Sequence, residues 1–165
     1  MQIREIMLDD AEALTNLIKE VEATSDFMLM EVGERKITAE QQRVHLERIQ
    51  QQSNSTILVA EIDGRLVGYL FAIGGSAKRT IHSAYLVIGI LEEYRGKGIG
   101  SKLFGSVTRW AEERNLTRLE LTAVTENEAG VALYKKNGFE IEGTKRRSLI
   151  INGVPYDEFY MSKLL

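Results

Sequence analysis

The sequence has no cysteine, one proline, two histidines and no long apolar run. Without cysteine there is no disulfide framework, no thiolate nucleophile and no cysteine-based metal site. His45 and His82 are too few for a histidine-rich centre, so no metal is expected. Apolar runs such as Ala84 to Leu91 are about eight residues long, far short of the roughly twenty that cross a membrane as a helix. Charged residues appear by Arg4 and Glu5 and no signal-peptide core follows them, so a cytoplasmic protein is expected. An excess of positive charge is missing too. The net charge of −3 argues against nucleic acid as the main partner, because phosphate recognition needs a basic face. A mildly acidic surface instead tolerates a cationic amine. With Pro155 as the only proline, and no repeat, low-complexity tract or linker, the 165 residues are expected to form one domain, residues 1–165.

What is present is periodic. Residues 2 to 7 alternate as a short strand, and Asp9 and Asp10 are placed to cap a helix with Ala11, Leu14, Leu17, Ile18 and Val21 on one face. Thr38 with Gln41 reads as a capping box. The helix it opens, about 38 to 52, has a thin apolar face of Val44, Leu46 and Ile49, which predicts a surface helix. Asp63-Gly64 between apolar runs predicts a hairpin of 56–62 and 66–73. A longer strand is expected over 81–91, then a helix marked by Ile99, Leu103, Val107, Trp110 and Ala111. Leu119, Leu121 and Val124 suit another strand, and Asn127 to Asn137 a helix ended by Gly138. A second hairpin, 141–151 and 156–164 about Asn152-Gly153, closes the chain. This order is α/β with a mixed sheet.

One segment suggests a ligand. Arg95-Gly96-Lys97-Gly98-Ile99-Gly100-Ser101 joins the apolar strand to the following helix. Free N–H groups at a helix start, the positive end of its dipole, and the Arg95 and Lys97 side chains suit a phosphate or pyrophosphate. The nucleoside-triphosphate loop spacing is absent, and the dinucleotide fingerprint fails because Ser101 occupies its third glycine position. The spacing that fits is Arg-x-x-Gly-x-Gly, read as Arg95, Gly98 and Gly100 behind Glu93-Tyr94. A second motif runs from Asn127 through Leu133-Tyr134 to Gly138-Phe139.

Together these motifs resemble the acetyl-coenzyme-A loop and the Asn-x-x-Ala-x-x-Leu-Tyr…Gly-Phe signature of the GNAT acetyltransferase superfamily, with Gly130 where alanine is usual. The resemblance is good from residue 56 to 165 and holds only in outline before that. It implies a single GNAT domain with a mixed, mostly antiparallel sheet of about seven strands and about four helices. It implies acetyl-CoA as cofactor and direct N-acetylation of a primary amine on a small molecule or peptide. The alternative is a noncatalytic acyl-CoA-binding regulatory or sensor module.

By position, the resemblance places the pyrophosphate on Arg95, Gly96, Lys97, Gly98, Ile99, Gly100 and Ser101. It places the pantetheine arm on the backbone of Ile88, Gly89 and Ile90, with Gly89 easing a bulge and one amide serving as oxyanion donor. Tyr134 would protonate the departing thiolate, or else simply pack its helix. Asn127 would bond the pantetheine arm, cap the helix, or both. The ribosomal-protein acetyltransferases of the superfamily carry a glutamate where Thr122 stands, so their mechanism does not transfer. Glu31, Glu34, His82, Tyr85 or a water remain candidate general bases. Phe27-Met28-Leu29-Met30 reads as core or as a flexible cover over the acceptor. Arg146, Arg147, Tyr156 and Asp157 cluster about the last hairpin, which ends in Met161, Leu164 and Leu165 and suggests a homodimer.

Overall fold

A computed structural model describes residues 1–165. The elements run β1 (Gln2–Glu5), α1 (Ala11–Thr24), α2 (Ala39–Gln50), β2 (Thr56–Ile62), β3 (Arg65–Gly74), β4 (Ser83–Ile90), α3 (Ile99–Glu113), β5 (Arg118–Val124), α4 (Glu128–Lys136), β6 (Glu140–Ile151) and β7 (Val154–Leu164). The seven strands form one sheet in the order β1-β2-β3-β4-β5-β7-β6, antiparallel except for β4 beside β5. The expected α/β architecture is therefore present.

Local chemistry sets much of this. Asp63 and Gly64 have φ of 49° and 78°, and Asn152 and Gly153 have 50° and 78°. Positive φ at both central residues is what a two-residue type I′ hairpin needs. The Thr38 hydroxyl accepts from the Gln41 N–H at 3.1 Å, and the Gln41 side chain accepts from the Thr38 N–H at 2.9 Å. Gly138, at φ 93°, ends α4, with the Phe139 N–H reaching back to the Tyr134 carbonyl.

Two local expectations change. Asp10 does not cap α1; its carboxylate binds Arg4 and accepts from the Met7 N–H. Helix α2 is more than a surface helix, because Leu46, Ile49 and Gln42 are buried while Val44 points to water. Burying two aliphatic side chains is worth roughly 1.5–3 kcal/mol each, enough to hold a polar helix against α1.

The ladder register assigns each helix a face. Tyr69, Phe71, Tyr85, Val87, Thr122, Val124, Glu158 and Lys145 are linked by pairing across the sheet and share one side, the side of α1. Leu86, Ile88, Leu121 and Ala123 lie on the other side, with α3 and α4. One apolar cluster, including Leu14, Leu70, Leu103 and Phe104, continues through the sheet.

Candidate active site

Strands β4 and β5 pair only from Ser83 to Tyr85 against Arg118 to Glu120. Beyond that they part, while β3 holds β4 as far as Ile90 and β7 holds β5 as far as Val124. The Leu91 N–H donates to the Val67 carbonyl and the Gly75 N–H to the Ser83 carbonyl. Antiparallel alternation then turns the odd-numbered residues of β4 toward β3 and the backbone of Leu86, Ile88 and Ile90 into the gap. Of the three expected backbone positions, Ile88 and Ile90 face the opening and Gly89 faces β3.

Gly89 does not make a bulge. The β3–β4 register runs unbroken, and a Cβ at Gly89 would lie 2.5 Å from the Tyr69 ring. The missing side chain is the space in which Tyr69 lies.

Past β4, the backbone amides from Gly96 to Ser101 donate to nothing within the chain, and the first helical bond of α3 is the Lys102 N–H to the Gly98 carbonyl at 3.2 Å. Gly96 and Gly98 have φ of 72° and 82°, and a Cβ on either would meet nothing, so it is the left-handed backbone, not crowding, that calls for glycine there. Gly100 has a different reason: a Cβ there would come within 2.8 Å of the Leu133 side chain, so it sets the approach of α4 to α3. The Arg95 Nε donates to the Ile90 carbonyl at 3.1 Å, tying the loop to the end of β4. The Lys97 ammonium lies 5.2 Å from the centre of the Tyr94 ring.

Helix α4 closes this side. Asn127 caps it, its Oδ1 accepting from the Gly130 N–H at 3.1 Å, while its Nδ2 makes no bond within the chain. The cap and a ligand contact are thus compatible. A Cβ at Gly130 would lie 2.5 Å from that Nδ2, so an alanine here would require the Asn127 side chain to shift. Tyr134 meets the Phe104 ring edge-on at 5.7 Å. Its hydroxyl makes no hydrogen bond within the chain, and burial, with a smaller contribution from Tyr85, pushes its pKa up to about 12. A phenol in this setting stays protonated across the physiological range.

The gap between β4 and β5 opens into a cavity of about 710 Å³ whose lining comes from both faces of the sheet. On one face lie Tyr134, Ile88, Leu121 and Ala123; on the other lie Tyr69, Phe71, Tyr85, Thr122, Lys145 and Glu158. Of the expected bases, only Tyr85 lines it, and its hydroxyl shares a 2.8 Å bond with Thr122. Glu31 and Glu34 are exposed and contact each other, with the Glu31 N–H donating to Glu34 Oε1. His82 is at the paired end of the β4–β5 ladder, its carbonyl accepting from Thr117 and Arg118. Phe27, Met28 and Leu29 do form part of the wall, Phe27 edge-on to Tyr156 at 6.3 Å. Arg146, Arg147, Tyr156 and Asp157 are outside the lining.

The sequence reading missed five polar side chains here. Glu22 is 3% exposed and held by Arg35 through three contacts of 2.9 to 3.1 Å. Ser148 bonds Glu158, and Lys145 stands beside them. A signal existed for Glu22: it follows Ile18 by four on the apolar stripe of α1, so the helical period already directs it inward.

The profile of the Acetyltransferase (GNAT) family matches residues 21–139. The L-amino acid N-acetyltransferase AaaT of Escherichia coli K12 is 32% identical over 119 residues, 72% of this chain and 74% of AaaT. The crystal structure of a GNAT-family acetyltransferase from Streptococcus pneumoniae superposes with a TM-score of 0.95 at 31% identity, over 99% of this chain and 98% of that one. A ribosomal-protein-alanine N-acetyltransferase from Brucella melitensis gives a TM-score of 0.86 at 28% identity, over 100% of both chains.

Proposed function

Because the chain belongs to the GNAT acetyltransferase family and is an acetyl-CoA-dependent N-acetyltransferase, we propose that it acetylates a small amine held between β4 and β5. The observation that carries this is the cavity passing through the sheet, with the free amides of Gly96 to Ser101 on one side and acceptor-sized space on the other. Acetyl-CoA supplies an acetyl group activated as a thioester. The residues fit it: unpaired amides and left-handed glycines for a pyrophosphate, and the gap-facing backbone of Ile88 with the Ile90 N–H for an amide-bearing arm.

In this assignment the amides from Gly96 to Ser101, with Arg95 and Lys97, hold the diphosphate. The Ile88 and Ile90 backbone and the Asn127 Nδ2 orient the arm, and a gap-facing amide stabilises developing negative charge on the acyl oxygen. Tyr134 holds a proton at Oη for the departing sulfur. The Glu158 carboxylate accepts the amine proton, directly or through one water. Lack of cysteine leaves no thiol for a covalent acetyl-enzyme on sulfur.

Thr122, in place of the glutamate of the ribosomal enzymes, favours a free small molecule over a ribosomal protein. We place the enzyme in the cytoplasm; no helix is long and apolar enough to cross a membrane. A homodimer through β6 is supported by its free edge and by exposed Ile150 and Val154. Met161 does not contribute, being 1% exposed in the core.

The test is release of coenzyme A thiol, followed with a chromogenic disulfide, during incubation with acetyl-CoA and amines, peptides or polyamines, with the product identified by mass spectrometry. Acetylated amine is expected. A protein that binds coenzyme A and acetylates no amine of any class would overturn the reading.

A further inference from the structure

We propose that the acceptor is a free α-amino acid with a large apolar side chain, its ammonium against Glu158, its carboxylate against Lys145 and its side chain among Phe27, Phe71 and Leu149. This rests on the acetyltransferase reading of the cavity and specifies what that cavity selects.

The charges facing the cavity leave one pair open. Glu22 and Arg35 satisfy each other in a forked contact and offer little to a ligand. Lys145 and Glu158 are direct cross-strand partners on β6 and β7, so their side chains leave the same face of the sheet. Side chains so placed have Cβ atoms about 5 Å apart. Yet Lys145 joins no ion pair, and Glu158 takes its bond from Ser148 instead. A cation and a carboxylate are therefore set side by side without cancelling each other. An α-amino acid carries the complementary pair of charges across a single carbon.

A bulge builds this arrangement. The β6–β7 register shifts between Lys145 and Leu149, where Arg147 has φ 50° and its N–H donates to Asp157 at 2.7 Å. An unshifted strand would alternate Lys145, Arg147 and Leu149 on one face. The two extra residues on β6 instead turn Ser148 onto Glu158 and keep Leu149 in the cavity wall. They bring a hydroxyl, not an arginine, against the carboxylate.

The remaining wall is mostly apolar, its hydroxyls being those of Tyr69, Tyr85, Thr122 and Tyr160. Ile18, Phe27, Met28, Leu29, Phe71 and Val87 offer neither donors nor acceptors to a polar side chain. An aliphatic or aromatic side chain would remove this surface from water, whereas a second charged group would be desolvated without a partner. Polyamines lack the carboxylate for Lys145, and the first residue of a peptide has an amide in its place.

The experiment compares kcat/KM, at saturating acetyl-CoA, for leucine and phenylalanine, their carboxamides, glycine, aspartate, spermidine and an alanine-first peptide. Leucine and phenylalanine are expected to exceed glycine, aspartate and their own carboxamides by about tenfold or more. In Lys145→Met the preference for leucine over leucinamide should collapse, with KM for acetyl-CoA unchanged. Lys145 is exposed, so the variant should keep the wild-type melting temperature. Equal use of leucine and leucinamide, an unaltered preference in Lys145→Met, or best use of spermidine or the peptide would overturn the proposal while leaving an N-acetyltransferase. Failure to acetylate any of these amines would remove the broader reading as well.

Discussion

The Glu22 carboxylate and the Arg35 guanidinium are locked together at 2.9 Å against the buried Tyr69, joining α1 to the end of the segment that carries Phe27, Met28 and Leu29. The carboxylate is 3% exposed and the guanidinium 30%. Removing one partner leaves a buried charge alone, whereas removing both leaves none. Arg35→Met should therefore cost about 2–3 kcal/mol in urea unfolding, below the range for fully buried pairs because Arg35 reaches water. Adding Glu22→Leu should restore most of that loss. If the double variant is no more stable than the single one, the pair does not act as described.

Tyr134→Phe should lower turnover by roughly tenfold to a thousandfold, toward the smaller figure because a thiolate already leaves readily. Coenzyme A affinity should hardly change. Since the phenol pKa is pushed up to about 12, the proton is retained as pH rises, so the wild-type rate should show no fall through pH 10 attributable to this group. Stopped-flow rates where chemistry is limiting check both points, and full turnover in the variant would reduce Tyr134 to a packing residue.

The glycines of the loop should separate into two behaviours. Gly98→Val forces a branched side chain into φ 82° and should weaken coenzyme A binding, read by calorimetry, with a modest loss of stability. Gly100→Val meets Leu133 and should lower the melting temperature first, because it pushes α4 from α3. Equal coenzyme A affinity in folded Gly98→Val would sink the pyrophosphate assignment.

These roles were unequally legible in the sequence. The hairpins at Asp63-Gly64 and Asn152-Gly153 were readable because neighbouring residues dictate the turn. The glycine-rich turn before α3 and the helix that carries Tyr134 were readable because their spacing is local. Leu46 and Ile49 were underrated because a polar helix looks superficial until α1 supplies its partner surface. Asp10 was misassigned because Arg4, on another element, takes the carboxylate that would have capped α1. Lys145 and Glu158 meet through strand register and a bulge, which depend on contacts far apart in the chain.

The Arg118 guanidinium, bonded to Glu142 at 2.7 and 2.8 Å, holds that carboxyl down to about 2 from an ordinary 4.5, with help from Ser162. A depressed carboxyl pKa contributes stability above its unfolded value and loses it as pH falls through the folded one. The contribution is thus complete above about pH 4.5 and lost toward about pH 2. Arg118→Gln should move the acid-unfolding midpoint to higher pH by circular dichroism. An unchanged midpoint would show that this exposed network contributes nothing.

Where β4 and β5 separate, the sheet works as a partition with a window. In the proposed assignment the donor and the acceptor enter through different doorways, so neither would have to leave before the other arrives. Initial-rate lines at several fixed acceptor concentrations should intersect, the mark of a ternary complex, and a product departing on one side need not clear a path for its counterpart. Bulk on one side should leave admission on the other untouched. The two specificities can consequently change independently, the amine side through the Phe27–Leu29 segment and β6, the cofactor side through the loop before α3.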